Sequence, residues 1–159
     1  MINAENIKET LSRELTNRMD EQNVRLSTMA NYCDVSPKRI GEYRYGQSLP
    51  NLWTLVLMAE RLDCSVNDLL GYGHYTTTRV SSARDSFPGE NHYAEFVSYL
   101  LIQTVNNTEI YPEELSRRTG IGINTINKWF TRWPCLPRTD HLVKVADVLG
   151  CTPSELLGY

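Results

Sequence analysis

Ile7, Leu11, Leu15 and Met19 recur at every fourth position of the opening segment, with polar residues between them. This spacing predicts an amphipathic helix, with Asn3 as its candidate N-cap. A second apolar cluster, Leu26 to Cys33, predicts a short helix with Ser27 as its cap. Asp34-Val35-Ser36 reads as a three-residue turn carrying one inward side chain. Ser36 is placed to cap a third helix and Pro37 suits its first position. Val35, Ile40 and Tyr43 share one face of that segment, and Gly46 ends it. Leu49-Pro50-Asn51 leads into a fourth helix with Leu52, Leu55, Val56, Met58, Ala59 and Leu62 apolar. Ser65 caps a short fifth helix, Val66–Leu70, closed by Gly71. No segment alternates with period two, so the expected fold is all-α.

The pattern then repeats. LDCSVNDLLGY at 62–72 returns as LGCTPSELLGY at 149–159, an offset of 87. The same offset pairs Leu49-Pro50 with Leu136-Pro137, Leu55 with Leu142, and Ala59 with Ala146. Upstream the offset is 86: Met29 pairs with Leu115, Val35 with Ile121, Ile40 with Ile126, and Tyr43 with Trp129. One residue is therefore inserted in the second copy, near Thr131-Arg132-Trp133-Pro134. The second copy predicts helix one from Tyr93, Phe96, Val97, Leu100 and Leu101, and helix two over Glu113–Thr119. Gly120-Ile121-Gly122 is its turn, helix three covers Ile123–Thr131, and helix four Asp140–Leu149. Thr152 caps the last turn. Self-similarity of this kind predicts duplicated domains over 1–72 and 91–159. The Ser/Thr/Gly-rich segment 73–90 between them reads as a flexible linker.

The chain has 159 residues, enough for one ordinary domain or two small ones. Apolar residues make up 41% and charged residues 22%, a globular rather than a disordered balance. No apolar run is long enough to span a bilayer, and Met1 to Asn6 has no leader-like pattern. A cytoplasmic protein is expected. The net charge of −3 argues against an indiscriminate polyanion binder, but a local patch matters more than the total. Cys33, Cys64, Cys135 and Cys151 form no C-x-x-C pair, and His74, His92 and His141 lie near none of them in sequence. Neither a metal nor a disulfide framework is expected, and the cysteines read as buried or half-buried thiols. No Gly-rich phosphate loop, nucleophile elbow or metal-ligand cluster points to an enzyme or a cofactor.

Two short helices joined by a three-residue turn inside a five-helix unit form the helix-turn-helix plan. The ordered set Leu26, Met29-Ala30, Asp34-Val35-Ser36, Ile40, Tyr43, Gly46, Leu49-Pro50, Leu55, Ala59, Leu62 and Ser65 to Gly71 resembles the Cro and lambda-repressor family. The second copy resembles it through Leu115, Gly120-Ile121, Ile126, Trp129, Leu136-Pro137, Leu142, Ala146, Leu149 and Ser154 to Gly158. It departs where Arg132 and Trp133 replace the glycine after helix three and where Ser116 replaces Ala30. The resemblance implies two tandem five-helix lambda-repressor-like units that bind double-stranded DNA. It also implies a phage or other mobile-element setting.

In such units the start of helix three enters the major groove. With Val35, Ile40 and Tyr43 inward, Pro37, Lys38, Gly41 and Glu42 point outward, flanked by Arg39, Arg44 and Tyr45. Lys38 is placed to donate to guanine. Glu42 can accept from cytosine or orient Lys38 four residues away. Gly41 either allows close approach of backbone to DNA or is an exposed position without a role. Phosphate contacts are expected from Arg25, Ser27 and Thr28 at the start of helix two, and from Arg44, Tyr45, Gln47, Ser48 and Asn51 after helix three. In the second unit Ile123, Asn124, Thr125, Asn127 and Lys128 hold the corresponding face, with Arg132 and Arg138 as phosphate candidates. Asn can bond adenine bidentately and Ile123 can meet a thymine methyl. Trp133 either anchors the inserted loop or contacts a protein.

The basic residues concentrate near both third helices, whereas Glu5, Glu9, Glu14, Asp20 and Glu21 lie in the first. The expected function is a sequence-specific transcriptional regulator, a repressor acting by promoter occlusion, cytoplasmic and nucleoid-associated when bound. Its two different third helices predict two unlike half-sites. The alternative is a protein-interaction module, an inhibitor or antirepressor on the same scaffold. A mixed protein, with the first unit on DNA and the second for dimerisation or partner binding, lies between them. The apolar ends Leu69-Leu70-Tyr72 and Leu156-Leu157-Tyr159 serve either core closure or a homodimer contact.

Overall fold

The computed structural model describes residues 4–73 and 82–159, all helix, turn or coil among the described residues. Asn3 and residues 74–81 of the expected linker lie outside the described residues. Five helices come first: α1 (Ala4–Glu21), α2 (Leu26–Cys33), α3 (Pro37–Arg44), α4 (Leu52–Arg61) and α5 (Val66–Leu70). A short α6 (Ala83–Ser86) follows. Then come α7 (Glu90–Thr108), α8 (Pro112–Thr119), α9 (Ile123–Asn127), α10 (Thr139–Leu149) and α11 (Pro153–Leu157).

Ile7, Leu11, Leu15 and Met19 are all buried along one stripe of α1, which packs on α3 and α5. In α7 the corresponding stripe is Tyr93, Val97, Leu101 and Val105, each 86 residues later. Phe96 and Leu100, expected on the apolar face, are only half-buried. α4 is buried almost all round, from Leu52 through Ala59 with Trp53 half-exposed. Such a helix belongs at the centre of a domain, and α4 packs on α2, α5 and α6.

Local chemistry sets most helix ends. Ser36 Oγ accepts from the Arg39 N–H and Pro37 follows it at the first turn of α3. Ser65 and Asp68 form a reciprocal capping box at α5. Ser27 does not cap α2. Asn23 takes a left-handed turn, the Val24 N–H bonds Met19 O, and Val24 is buried, which places Arg25 at the cap position and Ser27 inside the first turn. Gly71 and Gly158 close α5 and α11 at φ of 81° and 75°. A Cβ on either would lie 2.8 Å from Thr10 Cγ2 or Phe96 Cε1, so both the backbone angle and the close approach select glycine.

Residues 82–89 of the expected flexible linker are docked. Ser82 caps α6, Ala83 is fully buried, and the Ala83 and Arg84 N–H groups donate to the Glu60 carboxylate of α4. Phe87 then packs edge-on against Trp53 and Tyr93. The buried residues consequently form one continuous cluster through both groups of five helices. No described helix is long and apolar enough to cross a membrane. Cys33 and Cys64 are buried and Cys151 is half-buried, but Cys135 is exposed in the loop after α9. Burial pushes the Cys33 and Cys151 thiols up to about 12.

Candidate nucleic-acid interface

The first helix-turn-helix is α2, Asp34-Val35-Ser36 and α3. Asp34 is left-handed (φ 56°) and its N–H caps Ala30 O. Ile40 and Tyr43 anchor α3 to Met29, Ala30 and Cys33 in the core. That anchoring leaves Pro37, Lys38 and Arg39 exposed and Gly41 and Glu42 half-exposed on the outer face. A Cβ on Gly41 would meet nothing within 4 Å, so packing does not demand glycine there. Among the described residues no carboxylate pairs with Lys38. Glu42 does not orient it: Glu42 lies 3.7 Å from Arg39, one helical turn away, and accepts from the Ser48 hydroxyl at 3.5 Å.

Arg44 is less available than expected. Its guanidinium binds Asp20 of α1 at 2.5 Å, and the side chain is only 21% exposed. Asn51 is also engaged, its Oδ1 accepting from the Thr54 N–H as the cap of α4. Arg25, Ser27, Thr28, Tyr45 and Gln47 are exposed, and Ser48 is half-buried. The start of α2 has no side-chain cap, which leaves its first-turn N–H groups open to an anion.

The second helix-turn-helix is α8, Gly120-Ile121-Gly122 and α9. Gly120 is left-handed at φ 76°. Ser116, at the position of Ala30, donates its hydroxyl to Ile121 O at 2.7 Å and so ties the turn to α8. Ile126 and Trp129 are buried, and Asn124, Thr125, Asn127 and Lys128 are exposed, with Ile123 half-buried beside them. Helix three of this unit does not reach Thr131; α9 stops at Asn127. Trp129 O accepts from Ser98 Oγ at 2.6 Å, and Lys128 O accepts from the Cys135 N–H at 3.2 Å. Past Asn127 the chain tightens, the Trp129 and Phe130 N–H groups donating three residues back, to Ile126 O and Asn127 O. Lys128 sits at the end of α9 rather than within it.

Arg138 pairs with Asp140 at 3.1 Å, and the Arg132 guanidinium lies 5.5 Å from the Trp133 ring centre. Trp133 is 76% exposed and lines a shallow pocket with Asn91, His92 and Glu95 of α7. On α8, Glu114 binds both Arg117 and Arg118, whose hydrogen bonds hold its carboxyl at about 2. Lys8 of α1 lines the same groove as Gln47, Ser48, Asn51 and Arg138. Sequence reading missed it because nothing local links α1 to that loop.

Residues 107–159 match the family described as the Cro/C1-type HTH DNA-binding domain. The match covers the end of α7 through α11. It falls on the copy whose motif departs more from the pattern. No curated protein and no solved structure matches the chain. A helix-turn-helix in an all-helical fold, matched to this family, points to the class of DNA-binding regulators.

Proposed function

We propose that this chain is a sequence-specific, double-stranded-DNA-binding transcriptional repressor that acts by promoter occlusion. It carries two tandem helix-turn-helix units, 1–72 and 91–159, reading two unlike half-sites. The observation that carries this reading is the outer face of α9. Asn124, Thr125, Asn127 and Lys128 are exposed there, and among the described residues their side chains have no hydrogen-bond partner. Exposed amides and an ammonium on a helix anchored from behind by Ile126 and Trp129 suit base edges in a major groove. α3 offers a different set, Lys38, Gly41 and Glu42. Arg25, Ser27, Thr28, Gln47 and Arg132 are left for phosphates. The pairing of Arg44 and Arg138 within the chain makes them weaker phosphate contacts.

A second reading has its own support. Tyr99, Ile102, Tyr111 and Trp133, four of the five exposed large apolar side chains among the described residues, lie in the second half. They favour a mixed protein in which that half also meets a protein partner. Selection from a random duplex pool by the purified chain separates the two. A bipartite motif supports two DNA readers, whereas a single motif supports the mixed protein. Retention of duplex without enrichment, even at low salt, leaves the partner-binding reading standing alone.

A further inference from the structure

Asn67 in α5 and Ser154 in α11 occupy the same place in the two sequence copies, 87 residues apart. The Asn67 N–H donates to Ser154 Oγ at 2.9 Å, and the Ser154 N–H donates to Asn67 Oδ1 at 2.9 Å. Equivalent residues bonding each other reciprocally are the mark of a two-fold contact. Both N–H groups belong to the first turn of a helix, where no partner exists within the helix. One first-turn N–H of each short helix is therefore satisfied by the other copy. Asn67 is 2% exposed and Ser154 fully buried, so the contact is closed to water.

Three further contacts cross the seam, each on one side of the axis only. The Val66 N–H donates to Tyr159 O. Its symmetry mate would begin at Pro153, which has no N–H, so the bond exists on one side only. Thr139 Oγ1 donates to Pro50 O at 2.6 Å, and its mate position holds Leu52, which has no hydroxyl. Trp53 stacks obliquely on Tyr93 at 5.3 Å. The mates of that pair are Asp140 and Ile7, and Asp140 lines a groove with Lys8, the neighbour of Ile7. One flank of the axis is thus aromatic and the other polar.

We propose that this seam makes one chain a pseudo-dimeric reader, with α3 and α9 presented to double-stranded DNA at one fixed separation. The proposal rests on the DNA-binding reading above and deepens it. Two-fold-related helices lie at equal heights along the axis, which is how a dimer meets successive major grooves on one face of a duplex. Because the two outer faces differ, the target is a bipartite, non-palindromic site with a single half-site spacing. A second copy of the chain is not needed. A flexible tether would behave differently, since it accepts half-sites moved apart by a whole helical turn.

Two measurements on the full chain test this. A protease site is inserted within residues 74–81, and the folded protein is cut and sized without DNA. The cut halves are expected to elute together at the size of the intact chain; separation overturns the proposal. Binding is then measured on selected duplexes with 5 or 10 base pairs inserted between the half-sites. Both insertions are expected to weaken binding by at least ~100-fold, the scale of lost bivalency. Recovery at 10 base pairs overturns the fixed separation. If no duplex is selected while the cut halves stay together, the DNA reading has failed and the spacing claim fails with it, whereas the seam stands.

Discussion

Ser98 Oγ donates to Trp129 O at 2.6 Å, and Ser12 Oγ, 86 residues earlier, donates to Arg44 O at the same distance. In each half, a serine of the long first helix clasps the chain at or just past the end of the third. The two clasps are not equally protected. Ser98 is buried and its hydroxyl donates to Trp129 O, whereas Arg44 O also accepts from Thr16 at 3.2 Å. Ser98→Ala should cost ~1–3 kcal/mol of unfolding free energy, the range for an orphaned buried acceptor. Ser12→Ala should cost about 0.5–1.5 kcal/mol. Urea unfolding of the two variants checks the order.

Gly41→Ala separates stability from function. The site is open and its backbone is helical, so alanine should stabilise the fold by up to ~1 kcal/mol. If the outer face of α3 lies against DNA, the same methyl should weaken binding. A rise in thermal midpoint together with lower affinity is the expected pair of results.

Gly150 and Gly158 form an internal control. Both end helices at positive φ, 72° and 75°, but only Gly158 faces a ring at 2.8 Å. Gly150→Ala should cost about 1 kcal/mol for its backbone angle alone. Gly158→Ala must also displace Phe96, so its denaturation midpoint should fall further.

Burial holds the His141 imidazole below its ordinary pKa, with Arg138 and Lys144 acting in the same direction and Asp140 opposing them. The ring lies 6.3 Å from that of Trp129, and its Nδ1 is buried without a partner. The unfolded chain therefore takes up this proton at a higher pH than the folded one. Stability from this group is complete above about pH 6.5 and declines as pH falls below it, down through the folded pKa. His141→Gln should flatten that part of the stability profile, measured by urea titration between pH 7.5 and 5.

Much of the fold was legible because its signals are local. Ser36-Pro37, Ser65 with Asp68, Gly71 and Gly158 act within a turn of the residues that they punctuate. The buried stripe of α1 was equally plain from spacing alone. What sequence reading missed depends on distant partners. Ser98 and Cys135 engage the carbonyls just past α9, Glu60 docks residues 82–89, and Asp20 engages Arg44. The outward faces of α3 and α9 follow from Ile40, Tyr43, Ile126 and Trp129 pointing inward. The seam at Asn67 and Ser154 was present in the repeat itself, but equivalence in sequence does not announce contact in space.

The most direct test of the account is duplex selection repeated with Lys38→Ala and Asn124→Ala. A bipartite motif is predicted, one half relaxed by Lys38→Ala and the other by Asn124→Ala, since each base contact contributes ~1–3 kcal/mol of discrimination. A single motif that responds to Lys38→Ala alone would contradict the second reader, and the absence of any motif would contradict DNA reading altogether.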